Sequence, residues 1–427
     1  MLTRTLFKAI APEDAEPGDG AAERFSRHFL SLSSTKIADG LIDPKLVLAW
    51  VMGAVGAPGY LIGSLVPVRE AGALLPQILL AREIQRRAVR KYFWVAGSII
   101  QGLAAFGMAI AALTLEGAGA GWVILLCLAI FACARAACSA SHKDVLARTV
   151  ETGARGTVSG AAGTVAALVV FAFAVLLSFG VIPRELGAIS IAIMVAGALW
   201  LLAAMTYLGI DEPPDRDAGD EGTTSKNVLE PLWKDGEFRR YILVRGLMIS
   251  TALAPPFLVM LSEGAGEGAP GNLGLLLVAS SLAAIASSYL WGRLSDRSSR
   301  QTLAGAGALA AIALGTAAAI GLMTGGLLNG AIAAVAVFVA QIGYEGARAG
   351  RKTHLTDMDT PGGKARYTAL SNTMIGVLLI AGGGFGFLSD IVGPSAVLAL
   401  FAVMSLLGAW AALGLDEVQG DSGARAG

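Results

Sequence analysis

The sequence has 427 residues, of which 55% are hydrophobic and only 15% are charged, and its mean hydropathy is +0.66. A soluble domain carries roughly a quarter charged residues, so this composition excludes a water-soluble fold and indicates a membrane protein. The 32 basic and 32 acidic side chains balance, so the overall charge gives no support for binding nucleic acid, which needs basic side chains to neutralise its phosphates. Cys127, Cys133 and Cys138 lie in one apolar stretch, and their odd number and spacing predict neither a disulfide framework nor a metal site.

The N-terminal segment is polar and has no uninterrupted apolar core, so we predict no cleavable signal peptide. Residues 1–32 are predicted to be a disordered cytoplasmic tail. Asp39 and Asp43 follow in a short amphipathic entry segment. Asp43, directly before Pro44, is predicted to cap the first membrane helix.

Charge-free runs of about 20 residues predict membrane-spanning helices. The run 301–344 is too long for one crossing, and a turn at Thr324, Gly325 and Gly326 divides it into two. The weaker segment 65–83 counts as a span because the Lys and Arg clusters on either side of it must both face the cytoplasm. Twelve spans follow, in the runs 46–68, 65–83, 92–115, 117–134, 156–183, 186–210, 246–262, 268–292, 301–344 (two spans), 367–389 and 391–415.

The same rule predicts that both termini are cytoplasmic, with only Arg69 and Arg184 near the outer face. Residues 211–237 are rich in Asp, Glu, Pro and Gly at their start, and are predicted to be a flexible cytoplasmic linker. This linker would join an N-terminal six-helix half at 33–210 to a C-terminal half at 238–415. Residues 416–427 are predicted to be a cytoplasmic tail.

Short matches between the two halves indicate an internal duplication. Residues 81–86 are similar to residues 292–297, and Arg155 occupies the place of Arg366. Two related halves in the same orientation are typical of a large class of secondary transporters, in which the substrate site lies near the middle of the membrane between the halves.

The segment between the eighth and ninth spans carries the most specific motif. Gly292-Arg293-Leu294-Ser295-Asp296-Arg297-Ser298-Ser299-Arg300 resembles the G-x-x-x-D-R-x-G-R signature of the major facilitator superfamily, with Ser299 in place of the second glycine. In the first-half copy, residues 81–90, Ala81 and Gln85 replace the glycine and the aspartate, whereas Arg86 and Arg90 are kept.

This resemblance implies an all-α fold of twelve transmembrane helices in two pseudo-symmetric six-helix halves, embedded as a monomer in a bacterial inner membrane. It also implies a conformational latch, formed by Gly292, Arg293, Asp296, Arg297 and Arg300. The alternative is that these residues form a plain basic cytoplasmic loop that fixes topology.

Ionisable side chains inside membrane spans are costly unless they are paired or hydrated, so they are candidates for function. Arg135 and Glu345 occupy equivalent places in the two halves and are predicted to pair across the cytoplasmic mouth. Alternatively, Glu345 pairs with Arg348, three residues further along the same helix. Glu345 is also the candidate proton carrier. Arg69 and Glu70 are predicted to bind a charged substrate group or to form an outer gate, and the alternative is that they anchor their helix at the interface.

Several polar residues inside or beside apolar runs complete the candidates. Gln341, Ser371 and Asn372 are predicted either to line the transport cavity or to hydrogen-bond a neighbour. His142 and His354 are assigned to matching exposed cytoplasmic loops. Residues 382–386 read Gly-Gly-Gly-Phe-Gly inside an apolar run, without the strand and lysine of a phosphate-binding loop. They predict a close-packed or bending piece of helix and give no support for ATP-driven transport.

The sequence therefore predicts a secondary active transporter that moves a small molecule by rocker-switch alternating access, coupled to an ion and most simply to protons. Neither enzymatic activity nor a cofactor or metal is expected, because no clustered catalytic or metal-ligating motif is found. The alternative is a non-transporting assembly or sensing protein built on the same fold.

Overall fold

The computed structural model describes residues 20–151, 153–215, 229–263, 272–325, 328–361 and 363–419, and their regular secondary structure is entirely α-helical. The helices are α1 (Ala21–Ile42), α2 (Val47–Ala54), α3 (Gly59–Leu74), α4 (Gln77–Gln85), α5 (Lys91–Thr114), α6 (Gly117–Thr149), α7 (Arg155–Ser178), α8 (Leu186–Leu208), α9 (Glu230–Lys234), α10 (Gly236–Leu247), α11 (Ile249–Glu263), α12 (Asn272–Arg297), α13 (Ser299–Met323), α14 (Gly330–Asp357), α15 (Lys364–Gly382), α16 (Gly384–Val392) and α17 (Pro394–Ala412).

Nine spans in the described part of the chain are long and apolar enough to cross a membrane. The number is ten if the two parts of α12, which are bent by 40° relative to each other, form one span. The chain is thus a multi-pass membrane protein, and the count of twelve stays a prediction. Helices α1 to α4 are not among the nine spans, because each of them is either too short or too polar to cross a membrane.

The charge-free run 46–68 was predicted to be one helix, and this prediction is wrong. α2 ends at Ala54, Gly56 adopts a φ of 71°, and α3 begins at Gly59, directly after Pro58. Glycine enters the left-handed region without the steric cost of a Cβ, so a turn forms here inside an apolar run. The predicted break in the run 301–344 is confirmed, since α13 ends at Met323 and Gly325 has a φ of 72°.

The described start of the chain is helical, which corrects the predicted tail. Phe25, Phe29 and Leu32 lie on one face of α1, and they form a core cluster with residues of α7 that include Val158. Residues 21–32 are therefore part of a packed helix, whereas residues 1–19 lie outside the described residues. Asp43 follows the last residue of α1, so it does not cap the start of a membrane helix.

The described chain divides into two compact units. The N-terminal unit contains residues up to 43, 72–173 and 185–215, and the C-terminal unit contains residues 44–71, 174–184 and 229–419. In the N-terminal unit, α5 packs against α6 and α8, and α8 packs against α1. In the C-terminal unit, α13 packs against α14 and α17, and α17 packs against α11. The same order of helix pairs thus occurs in both units, as the internal repeat predicts.

This grouping differs from the predicted halves at two segments, 44–71 and 174–184. α2 packs against α11 inside the C-terminal unit. The backbone of Ser178 is so close to Gly274 that a Cβ there would lie 2.5 Å from the Ser178 nitrogen. The division into halves at 33–210 and 238–415 stays a prediction.

The described start of the predicted linker is held in place. The Glu212 carboxylate accepts hydrogen bonds from the backbone N–H groups of Arg90 and Lys91. Asp215 accepts from the guanidinium of Arg90, at 2.7 Å, and from that of Arg148. Residues 211–215 are therefore anchored to the ends of α5 and α6, and residues 216–228 of the linker lie outside the described residues.

The glycine-rich segment 382–386 forms a helix break and a close contact, and both predicted properties are confirmed. α15 ends at Gly382 and α16 begins at Gly384. A Cβ added at Gly63 of α3 would lie 2.6 Å from the Cα of Gly386, and one added at Gly386 would lie 2.7 Å from the carbonyl oxygen of Tyr60. The backbones of α3 and α16 touch because neither glycine carries a side chain.

Candidate functional site

An ion pair inside the N-terminal unit joins α1 to α6. The guanidinium of Arg135 donates to the carboxylate of Asp39, and the two side chains are 31% and 23% exposed. Asp39 lies within α1, three residues from its end, and not in an entry segment. Each charge compensates the other inside a helix bundle, where an unpaired charge would be costly.

A cavity of about 240 Å³ lies beside this pair. Its wall carries a second cation, Lys36, one helical turn before Asp39 on α1. The Lys36 ammonium donates to the carbonyl oxygen of Ser159 at 2.9 Å. Two cations, Lys36 and Arg135, therefore line the cavity, and the carboxylate of Asp39 binds the second of them. The lining residues are Leu32, Thr35, Lys36, Trp94, Ser98, Gln101, Arg135, Cys138, Ser139, His142, Ser159 and Trp200.

The two histidines that were assigned to exposed loops lie in helices, so that prediction is wrong. His142 is in α6 and lies 3.3 Å from the Tyr207 hydroxyl. His354 is in α14, is fully buried, and contacts Ser299 at 2.9 Å and Glu237 at 3.2 Å. Both helices continue past their apolar runs without a break, and the loops therefore begin later than hydropathy alone indicates.

The charged residues of α14 pair along their own helix. Gln341 donates from Nε2 to Glu345 Oε1 at 3.1 Å, and Arg348 Nη1 lies 3.5 Å from Glu345 Oε2. Of the two predicted arrangements, Glu345 with Arg135 or Glu345 with Arg348, the structure has the second. Arg135 and Glu345 thus each have an ionic partner within their own unit.

Other charges of the C-terminal unit lie near Arg348. Glu70 of α3 is close enough to interact electrostatically with the Arg348 guanidinium. The Lys45 ammonium lies 3.3 Å from the ring centroid of Tyr344, a cation–π contact. Arg69 is half-buried in α3, and its predicted substrate or anchoring role stays a prediction.

Asn372 and Ser371 both hydrogen-bond a buried arginine that the sequence analysis missed. Arg245 of α10 donates to Ser371 Oγ at 2.5 Å and to Asn372 Oδ1 at 3.1 Å, and it is only 9% exposed. Of the two predicted roles of Ser371 and Asn372, the structure therefore has the hydrogen bond to a neighbouring side chain. The sequence carries a signal for this arginine. Phe238, Tyr241 and Arg245 recur at helical spacing, which places them on one helix face, and the structure buries all three.

The signature motif contacts the C-terminal segment. Arg300 Nε lies 3.0 Å from Glu417 Oε2, and Ser298 Oγ donates to the same oxygen at 2.6 Å. Ser299 donates from its backbone N–H to Gln419 at 2.9 Å. Residues 416–419, which were predicted to belong to a free tail, are thus held against the start of α13, and residues 420–427 lie outside the described residues.

The acidic centre of the motif is exposed. Among the described residues, neither Asp296 nor Arg297 forms an ion pair, and both side chains face solvent, as does Arg293. Gly292 has open space where a Cβ would lie. In the degraded first copy, Arg86 and Arg87 pair with Glu83, and the Arg82 side chain lies outside the described residues. The latch role of the motif stays a prediction.

Comparison with known proteins gives the fold. No protein-family model and no curated protein matches this sequence. A crystal structure of a mutant of the nucleoside transporter NupG is similar, with a TM-score of 0.68 and 13% identity, over 92% of this chain and 100% of that chain. A POT family transporter in complex with a thioalcohol-conjugated peptide has a TM-score of 0.62 and 12% identity, over 93% of this chain and 96% of that chain.

An auto-inhibited POT family peptide transporter has a TM-score of 0.67 and 11% identity, over 92% of this chain and 96% of that chain. Identities this low establish the fold alone. This chain therefore has the fold of these nucleoside and peptide transporter structures, which agrees with the fold that the motif at 292–300 implied.

Proposed function

We propose that this protein is a secondary active transporter that moves a small molecule across the membrane by rocker-switch alternating access. The observation that carries the proposal is the ion pair between Arg135 and Asp39, beside a cavity that Arg135 lines. Hydrophobic residues in place of a buried ion pair are often neutral or stabilising, so stability alone is a weak reason to keep these charges. Intramembrane charges mark substrate and ion pathways.

Two further observations support the proposal. The solved structures with this fold are named as nucleoside and peptide transporters. The lysines and arginines gather in the loops that the positive-inside rule assigns to the cytoplasm. The proposed environment is a bacterial inner membrane, where the protein acts as a monomer in the lipid bilayer with both termini in the cytoplasm.

Glu345 is the proposed proton carrier. Gln341 and Arg348 hold one oxygen each of its carboxylate. Protonation removes the negative charge that attracts Arg348, so the ion pair weakens and the contacts of α14 change. A coupled cycle needs such a step, in which a proton alters the balance between two conformations.

The test is untargeted metabolite profiling of cells and spent medium in a deletion strain that expresses nothing, the wild-type protein, Glu345→Gln or Glu151→Gln. Glu151 is exposed and serves as the matched control. We expect one compound to shift between cells and medium in the deletion strain. Glu345→Gln should reproduce that shift, whereas Glu151→Gln should behave as wild type.

Normal distribution of the compound with Glu345→Gln would remove this residue from the mechanism. Absence of any redistribution across many growth conditions would overturn the transport proposal and favour the assembly or sensing role. Partner capture would then be the next experiment.

A further inference from the structure

An apolar groove of about 740 Å³ lies between α10 and α15, inside the C-terminal unit. Leu243 lines it from α10 and Leu378 lines it from α15, and both side chains are exposed. A Cβ added at Gly246 would lie 3.0 Å from Leu378 Cδ1, so the two helices meet where these residues line the groove. A concave apolar surface favours an apolar ligand over water. The groove is therefore expected to hold one.

The groove has a positive charge where α10 enters it. Arg239 is the one charged side chain among the described residues that line the groove. Its guanidinium donates to the carbonyl oxygen of Trp233 at 2.9 Å, and it forms no ion pair within the part of the chain that the structure describes. The neighbouring acid Glu237 does not line the groove and contacts His354 of α14 instead, at 3.2 Å. The exposed Arg239 guanidinium therefore keeps donors for an anionic group.

The length of the groove fits one leaflet of a bilayer. Its wall on α10 and α11 runs from Arg239 to Ile249, which is roughly 15 Å at a rise of 1.5 Å per residue. The hydrocarbon core of a bilayer is about 30 Å thick, so the groove spans about half of it. The linker before α10 is predicted to be cytoplasmic, which puts Arg239 and Trp233 at the cytoplasmic headgroups, where tryptophan is enriched.

We propose that this groove binds one phospholipid of the cytoplasmic leaflet whose headgroup carries a net negative charge. The lipid phosphate accepts hydrogen bonds from the Arg239 guanidinium, and an acyl chain lies along Leu243 and Leu378. A guanidinium suits this role because it can donate two parallel hydrogen bonds to one phosphate. Its positive charge also favours an anionic headgroup over a zwitterionic one, as basic pockets between membrane helices do. The lipid site goes beyond the proposed transport function and does not depend on it.

The test is the quenching of tryptophan fluorescence in phosphatidylcholine vesicles that contain the full-length protein and a minor fraction of phosphatidylglycerol with brominated acyl chains. Trp233 and Trp410 are similarly exposed, at 78% and 75%, but Trp410 lies outside the groove. The contribution of each is the difference between wild type and Trp233→Phe or Trp410→Phe. We expect brominated phosphatidylglycerol to quench Trp233 about threefold more than Trp410. Brominated phosphatidylcholine at the same fraction should quench the two alike.

Two variants report on the two parts of the site. Arg239→Gln removes the charge and should weaken the preference for phosphatidylglycerol about fivefold. Its control is Arg240→Gln, at the next exposed position, which does not line the groove. Ala381→Phe places a ring in the groove and should exclude the acyl chain, which lowers the quenching of Trp233. Its control is Ala319→Phe, at an exposed position of α13 outside the groove. If one groove variant does not fold, the other still decides.

Equal quenching of Trp233 by the two brominated lipids would overturn the inference, because it means contact with bulk lipid only. So would quenching that neither groove variant changes. Absence of quenching at Trp233 would also overturn it, and would mean that something other than lipid, such as a second copy of the chain, covers the groove. Quenching of Trp233 that is selective for phosphatidylglycerol and is lost in the groove variants supports the lipid site whether or not the vesicles show flux, so its outcome is separate from that of the proposed function.

Discussion

Asp39 and Arg135 are 96 residues apart in the sequence and form an ion pair between α1 and α6. The pair is neither fully buried nor fully exposed, since the Asp39 side chain is 23% exposed and the Arg135 side chain is 31% exposed. The Arg135 charge therefore remains accessible from the cavity that it lines, with the Asp39 carboxylate bound to it. A pair in this position can exchange partners with a charged ligand, which a fully buried pair cannot do.

Asp39→Asn and Arg135→Gln should each stop transport, because each removes a charge at the cavity. Each should also lower the free energy of unfolding by about 1–3 kcal/mol, less than the 3–5 kcal/mol of a fully buried pair because water still reaches these side chains. The double variant should recover much of the stability, since no charge is left unpaired, but no flux. Chemical unfolding in detergent and flux in proteoliposomes measure the two effects.

The matched control is the pair of Glu23 and Arg27, which lies on the same helix and in which the Glu23 side chain is 56% exposed. Glu23→Gln should change the free energy of unfolding by less than about 0.5 kcal/mol and leave flux unchanged. Recovery of flux in the double variant at Asp39 and Arg135 would show that the charges serve stability and not transport.

Gly386→Ala should damage the protein more than Gly384→Ala. A Cβ at position 386 would meet the backbone of Tyr60, which cannot move away as a flexible side chain can, whereas position 384 has open space. We expect Gly386→Ala to lower the thermal unfolding temperature by several degrees, as overpacking costs about 1–3 kcal/mol. Gly384→Ala should fall within one degree of wild type. Equal unfolding temperatures for the two variants would contradict the close approach of α3 and α16.

The fold was largely predictable, because apolar runs and glycine turns are local signals. Met323 and Gly325 mark the break that the run 301–344 predicts. The start of the chain was not predictable from hydropathy. Buried polar residues in α1, such as Ser26, Ser31 and Thr35, lower the average hydropathy of this helix. Their burial comes from tertiary packing, so α1 resembles a polar tail when each residue is scored alone.

The candidate site was predictable only in part. Arg135 was identified because a charge interrupts an apolar run, and Glu345 and Arg348 because their spacing is local. The partner of Arg135 was missed because Asp39 lies in a helix that was assigned to an entry segment. Helix packing decides which charges that are distant in the sequence form a pair. Residue spacing in a single sequence does not carry this information.

Arg90 and Arg300 make equivalent contacts in the two units. Each lies at the start of the third helix of its predicted half, and each binds a carboxylate in the segment that follows the last helix of that half. Arg90 binds Asp215 at 2.7 Å, and Arg300 binds Glu417 at 3.0 Å. The degraded first copy of the motif therefore keeps this contact, although its glycine and aspartate are gone.

The two contacts should differ in strength, because Arg90 is 10% exposed and Arg300 is 36% exposed. Asp215→Ala removes a carboxylate that binds both Arg148 and the buried Arg90, which keeps Asp144 as its other partner, and should cost about 2–4 kcal/mol of unfolding free energy. Glu417→Ala should cost only about 0.5–1.5 kcal/mol, since water replaces part of what Arg300 and Ser298 lose. Chemical unfolding in detergent gives both values, with Glu151→Ala as the exposed control. A larger loss for Glu417→Ala than for Asp215→Ala would mean that burial does not set the strength of these contacts, and that the C-terminal segment holds the motif through more than Arg300 and Ser298.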